Sequence, residues 1–141
     1  MSKVFITRTI PGPAPETLAA AGHEVEIWPG ELPPPREALA QRLATADAVM
    51  TMVTDRIDAE LMASAPRLRV ISNMAVGYDN VAPSDADAAG IWLTNTPGVL
   101  ADTTADLAFG LLMAAARNIP QSERDTRAGG WKTWRERSCR V

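Results

Sequence analysis

Short apolar runs alternate with helical patterns along this chain, the arrangement expected of parallel strands covered by helices. Residues 4–7, VFIT, read as the first strand. A proline-broken loop at 11–15 follows, then a helix at 16–21 that Gly22 closes. Residues 24–28 alternate acidic and apolar side chains, as a half-exposed edge strand does. The triplet Pro33-Pro34-Pro35 is a stiff connector, and Pro35 suits the first turn of a helix running to Leu43. Strands at 47–52, 68–72 and 91–94 then alternate with helices at 58–64 and 84–89, the latter closed by Gly90. Residues 102–117 predict a long helix with Asp102 as its N-cap, apolar without a break from Leu107 to Ala116. A shorter helix is expected at 121–129.

Five strands with intervening helices over about a hundred residues predict a flavodoxin-like, doubly wound α/β fold with a parallel sheet of order 2-1-3-4-5. The long apolar helix and the shorter one follow it. Ligands on such sheets lie beyond the carboxyl ends of the strands, near the point where strand order reverses. That rule selects the loops at 8–13, 52–56, 73–80 and 95–98.

Composition narrows the function classes. A chain of 141 residues with 46% hydrophobic and 22% charged positions is an ordinary globular domain. Its net charge of -3 argues against an electrostatic nucleic-acid or membrane binder. The basic residues Arg124, Arg127, Lys132, Arg135, Arg137 and Arg140 are interrupted by acids and read as a solvated tail. A single cysteine, Cys139, excludes an internal disulfide and any cysteine-cluster metal site, and it reads as an incidental exposed thiol. The start MSKVFITRTI opens as a strand and no apolar run nears the ~20 residues of a membrane span, so a cytoplasmic location is expected.

Candidate chemistry is sparse. No two of the nine glycines stand two residues apart, so there is neither a G-x-G-x-x-G fingerprint nor a P-loop. His23, the one histidine, falls in a turn before an edge strand, has no partner nearby in sequence and reads as a surface histidine. A phosphorelay receiver needs clustered acids after strands one and three, where this chain has Arg8 and Thr51-Met52-Val53-Thr54. Asp102 and Asp106 lie one helical turn apart, and their plainer role is to complement the helix dipole. The segment Ala75-Val76-Gly77-Tyr78-Asp79-Asn80 is different, because it follows the fourth strand on the ligand side. There Gly77 lets the backbone bend so that successive N–H groups can face one anion. An ordinary strand-to-loop turn is the competing interpretation.

Three stretches, VFITRTIPGPAPETL, AVGYDNV and GIWLTNTPGVLADTTADLAFGLLMAAARNI, resemble the D-isomer-specific 2-hydroxyacid dehydrogenases, in particular glyoxylate and hydroxypyruvate reductases. The resemblance implies a flavodoxin-like substrate domain at 1–99, crossing helices at 100–130 that build a homodimer, and a divergent, unstructured tail at 131–141. It implies that the amides of Val76 and Gly77 hold the substrate carboxylate and that Met52 and Val53 line the pocket. Leu100 and Thr104 would neighbour the nicotinamide of NAD(P) once the rest of such an enzyme is supplied. No catalytic residue carries over: the arginine, histidine and acid of the family find no match, and His23 does not correspond. The chain is therefore expected to be a truncated piece, catalytically inactive alone, and to bind no cofactor by itself.

The long helix raises a physical demand of its own. Leu107 and Leu111 stack on one side, Phe109 and Met113 on the opposite side, with Gly110 and Ala114 forming a small-residue stripe. A helix apolar all round is expected to be buried all round. One sheet domain covers one face, so a second copy of the chain is expected on the other, through residues 102–117 and 121–129. Two classes of function follow: the substrate domain of an oxidoreductase, or a non-catalytic homodimeric module that binds a small carboxylate or another protein.

Overall fold

The computed structural model describes residues 1–133, which divide into two compact units, one spanning Met1–Gly98 and one beginning at Val99. In the first unit the elements run β1 (Lys3–Ile6), α1 (Ala14–Ala20), β2 (Glu24–Ile27), α2 (Arg36–Leu43), β3 (Ala48–Thr51), α3 (Ala59–Ala63), β4 (Val70–Asn73), α4 (Pro83–Ala88) and β5 (Trp92–Thr94). All strand pairings are parallel and the sheet order is β2-β1-β3-β4-β5, as the alternation of patterns predicts.

Register explains the layers. Phe5 pairs with Val49, Val49 with Ile71, and Ile71 with Leu93, which makes one apolar row across four strands. That row packs with Leu39 and Leu43 of α2, Leu61 and Met62 of α3, and Ala86 of α4 into the main core. The alternate positions Val4 and Ile6 face the other way, into a smaller cluster with Ile10, Leu18 of α1, and Met50 and Met52. Period-two alternation thus feeds two layers from the same strands.

Several helix boundaries differ from expectation, and proline is the common cause. Helix α1 begins at Ala14 rather than residue 16, with Pro15 in its first turn, and α4 begins at Pro83 itself. Proline lacks an N–H, and the first turn has no use for one, so these prolines open helices instead of breaking the chain before them. Pro35 behaves otherwise: it is the extended N-cap of α2, with ψ 157°, and not part of its first turn. Among the strands, β4 ends one residue later than expected, at Asn73, which brings a polar side chain into the sheet. His23 is half-buried rather than a surface residue, and its Nδ1 has no hydrogen-bond partner among the described residues.

Both ends of the sheet carry loops held by charge. Asp58 caps α3 by accepting from the Leu61 N–H at 3.1 Å, and it receives two bonds from Arg36. The Arg36 guanidinium first, and the Leu61 N–H second, hold the Asp58 carboxyl below its ordinary value. Asp47 is lowered likewise by the Lys3 backbone N–H and by Arg67. Glu26 pairs with Arg42 and Lys3 on the β2 edge.

In the second unit, α5 spans Ala101–Ala116 and α6 spans Ile119–Arg127. The expected N-cap role of Asp102 is not seen: Leu100 is the N-cap, no side chain caps the helix, and Asp102 sits in the first turn. Asn118, in the left-handed region at φ 53°, separates the helices. Pro120 stands in the first turn of α6, so that helix opens at Ile119, two residues earlier than expected, and closes at Arg127. Helix α6 is polar and internally bonded, Gln121 to Asp125 and Arg124 to Gln121 at 2.9 Å each, with an Arg127–Glu123 pair. No residue of α5 is buried. Leu107, Phe109, Leu111 and Leu112 are each 61–64% exposed, so burial of this helix is not achieved among the described residues. No helix there is long and apolar enough to cross a membrane. Cys139 and the tail beyond residue 133 lie outside the described residues.

Candidate functional site

The loops that follow β3, β4 and β5 in the first unit meet at the carboxyl end of the sheet. Adjacent strands deliver them side by side: Thr51 pairs with Asn73, and Ser72 with Thr94, as the last register positions. Three asparagines and one aspartate sew them together.

Asp55 is the hub of the β3–α3 loop. Its side chain is 1% exposed, and it accepts from Thr7 Oγ1 at 2.5 Å, the Met52 N–H at 2.8 Å and Arg8 at 3.1 Å. Its own N–H donates back to the Met52 carbonyl at 2.9 Å, closing a tight turn. The turn presents Val53, 59% exposed, at its tip. One carboxylate therefore does reach the ends of β1 and β3, but its oxygens are committed to a hydroxyl, an amide and a guanidinium. That arrangement fixes a loop and leaves no open cluster of acids for phosphoryl chemistry or a metal. No group of three or more histidine, cysteine or acidic residues suited to a metal ion occurs among the described residues.

The β4–α4 loop carries the second element. Asn73, 1% exposed, accepts from Thr51 Oγ1 at 3.0 Å and donates to the Gly77 carbonyl at 2.9 Å and to Asn80 Oδ1 at 3.1 Å. The Asn80 amide reaches the carbonyls of Met52 and Asp55 at 3.1 and 3.0 Å, tying this loop to the β3 loop. The Asn95 amide, just after β5, donates to the Val76 carbonyl at 2.8 Å. The Thr96 N–H donates to the Ala75 carbonyl at 2.9 Å. Three consecutive carbonyls, of Ala75, Val76 and Gly77, are thus held by the protein. By contrast, the N–H groups of Val76, Gly77 and Tyr78 donate to no acceptor among the described residues.

Of the residues singled out from sequence, Met52 and Val53 lie on one loop and Val76 and Gly77 on the next, joined through Asn80. Met52 is half-buried against the smaller core cluster, and Val76 is 43% exposed. Leu100 and Thr104 belong to the second unit, at the N-cap and first turn of α5, where the Thr104 N–H donates to the Leu100 carbonyl at 3.0 Å. Gly77 is not in the left-handed region, and a Cβ there would find only Asp79 Oδ2, at 3.9 Å. Its bend therefore does not require glycine, contrary to the sequence reading; what glycine leaves is open space above the amide. Asn73, Asn80, Asn95 and Asp55 were assigned no role from sequence, although each stands in a loop that follows a strand, in SNMAVGYDN, TNTPG and VTD.

Two hollows flank the loops. One of about 580 Å³ is bordered by Tyr78, Asp87, Ile91, Trp92 and Asn95. The other, of similar size, is bordered by Val53, Thr54, Asp79 and Asn80. Both fall in the range of small-molecule clefts, and neither is lined by the Val76 or Gly77 side of the loop.

A parallel sheet of order β2-β1-β3-β4-β5 with helices between its strands defines a doubly wound α/β domain. Residues 4–134 match the family model of the D-isomer specific 2-hydroxyacid dehydrogenase catalytic domain, and the chain belongs to that family. A glyoxylate reductase from Thermococcus kodakarensis is 49% identical over 92% of this chain and 39% of its own length. A crystal structure of a protein from Thermus thermophilus superposes with a TM-score of 0.88 at 42% identity, covering 96% of this chain and 43% of that one. NAD+-bound 3-phosphoglycerate dehydrogenase from Entamoeba histolytica gives a TM-score of 0.69 at 26% identity, covering 82% of this chain and 39% of that one. The chain thus spans about two fifths of the length of the curated relatives it matches.

Proposed function

We propose that this chain supplies the substrate-binding part of an NAD(P)-dependent 2-hydroxyacid dehydrogenase acting on a small 2-oxo acid such as glyoxylate or hydroxypyruvate. The observation that carries the reading is the free N–H pair of Val76 and Gly77 at the carboxyl end of the sheet, with exposed apolar side chains at Val76 and, on the adjoining loop, Val53. Two backbone donors bind a carboxylate without any basic side chain, and Met52 and Val53 offer an apolar wall for the short carbon chain. The likeness to glyoxylate reductases supports the same substrate class.

The nicotinamide dinucleotide would supply the hydride in such a reaction. This chain's residues do not fit that group: no two glycines have the spacing of a dinucleotide fingerprint. On the ligand-end loops Arg8 is engaged by Asp55 and Thr54, Arg56 lies 3.8 Å from Asp58, and no histidine stands there. The chain alone therefore binds a carboxylate and does not turn it over. An NADH-oxidation assay with glyoxylate tests this: a rate above the blank overturns it. Saturable shifts of the Val76 and Gly77 amide resonances on adding glyoxylate support the binding half, and their absence at millimolar ligand removes it.

The exposed apolar side chains of α5 support a homodimer, a second copy being a chemically matched cover for such a helix. Light scattering at micromolar concentration tests it, and a monomeric mass overturns it.

A further inference from the structure

We propose that Asn95 and Asn73 are positioning residues of the carboxylate loop: by tethering the carbonyls of Val76 and Gly77 they turn the N–H groups of Gly77 and Tyr78 outward, toward a ligand. This rests on the reading of the loop as a carboxylate site. The physical link is the planar trans peptide, in which the C=O of one residue and the N–H of the next point in opposite directions. Holding the Val76 oxygen against Asn95 Nδ2 at 2.8 Å therefore sets the direction of the Gly77 N–H. Holding the Gly77 oxygen against Asn73 Nδ2 at 2.9 Å sets that of the Tyr78 N–H. The Thr96 N–H does the same for the Val76 N–H by holding the Ala75 oxygen. Tyr78 thereby joins Val76 and Gly77 as a third donor.

The tethers are built for permanence. Both hydrogens of the Asn73 amide are used, on Gly77 O and Asn80 Oδ1, while its oxygen takes the Thr51 hydroxyl. Its orientation is thus settled by its partners, because a flipped amide would set its oxygen against two other oxygens. Asn80 in turn is anchored to the β3 loop through the Met52 and Asp55 carbonyls. The donors are fixed before the ligand arrives, and prepaid order of this kind raises affinity.

The test compares the full 141-residue chain with Asn95→Ala, which removes an exposed tether, and Asn73→Ala, which removes the buried one. In the ligand-free wild type, 15N relaxation at Gly77 is expected to give an order parameter near ~0.85, falling toward ~0.6 in Asn95→Ala. Sheet residues and the thermal midpoint stay unchanged, which a merely structural role would not allow. Glyoxylate affinity, followed at the Val76, Gly77 and Tyr78 amides, is expected to weaken roughly tenfold with the lost tether. Should Asn73→Ala fail to fold, Asn95→Ala alone decides. Equal affinity and equal order at Gly77 in Asn95→Ala overturn the proposal while leaving the carboxylate reading intact. Absence of any shift in the wild type overturns the carboxylate reading first, and the proposal with it.

Discussion

The loop after β4 and helix α5 are opposite kinds of surface. The loop is polar, and its carbonyls at Ala75, Val76, Gly77, Tyr78 and Asn80 have partners supplied from the same unit. The helix is apolar, and none of its residues is buried. In the loop, what is left over is a set of N–H donors; in the helix, a set of hydrocarbon side chains. Each remainder specifies its own complement. Free backbone donors select a small anion, whereas exposed leucine, phenylalanine and methionine select another apolar surface. The loop pairs its carbonyls and leaves N–H groups open, while the helix leaves apolar side chains uncovered.

The largest effect should come from the helix. Covering Leu107, Phe109, Leu111 and Leu112 would stabilise an assembly by ~1.5–3 kcal/mol for each side chain fully buried. The wild-type chain is expected at about twice its 15.1 kDa mass by light scattering. Two double variants separate the faces, Leu107→Asp with Leu111→Asp, and Phe109→Asp with Met113→Asp. At least one should run as a monomer, and that one names the buried face. If both remain at the wild-type mass, α5 is not the assembly surface.

The next effect should come from the buried end of the polar network. Asn73→Ala strips partners from the Gly77 carbonyl, the Thr51 hydroxyl and the Asn80 amide at once. A loss of ~2–3 kcal/mol in urea unfolding is expected, since each buried polar group left unpaired costs ~1–3 kcal/mol. A loss below ~0.5 kcal/mol would mean that water replaces the asparagine freely and that the loop is not a closed network. Gly77→Ala should do the reverse. Its backbone lies outside the left-handed region and its neighbour is 3.9 Å away, so stability should hold while glyoxylate shifts shrink or vanish. Gly98, at φ 78°, makes the control: alanine there should cost ~1 kcal/mol through strain alone.

The sheet was legible because its signal is periodic. Phe5, Val49 and Ile71 stand in runs whose alternation dictates which layer each one enters, and strand order follows from topology rules. Helix starts were less legible, since Pro15, Pro83 and Pro120 read as loop by residue type although each stands in a first turn. The loop VGYDN was legible as a motif but not in its mechanism. Gly77 drew notice for a backbone freedom it does not use, while Asn73, Asn80 and Asn95 looked like ordinary loop polar residues. Their role depends on which carbonyl each one faces across three strands, and no local pattern encodes that. The apolar run of α5 was legible as a demand for cover, and none of its residues is buried among the described ones.

The smallest effect, and the one that separates the two regions by condition rather than by mutation, is acid. Asp47 and Asp58 are both held below the ordinary carboxylate range, by the Lys3 N–H and by Arg36 respectively. A carboxylate lowered on folding contributes stability above its unfolded value near ~3.9, and that contribution fades as pH drops through the folded value. The scaffold carrying the loop should therefore lose stability below about pH 4, modestly, because solvent screens both pairs. Association through α5 depends on leucine, phenylalanine and methionine, which do not titrate, and should persist through the same interval. Asp58→Asn should flatten the acid limb of the unfolding midpoint plotted from pH 7 to 3, while lowering its plateau through loss of the Arg36 pairing. An acid limb identical to the wild type would remove Asp58 as one of its sources.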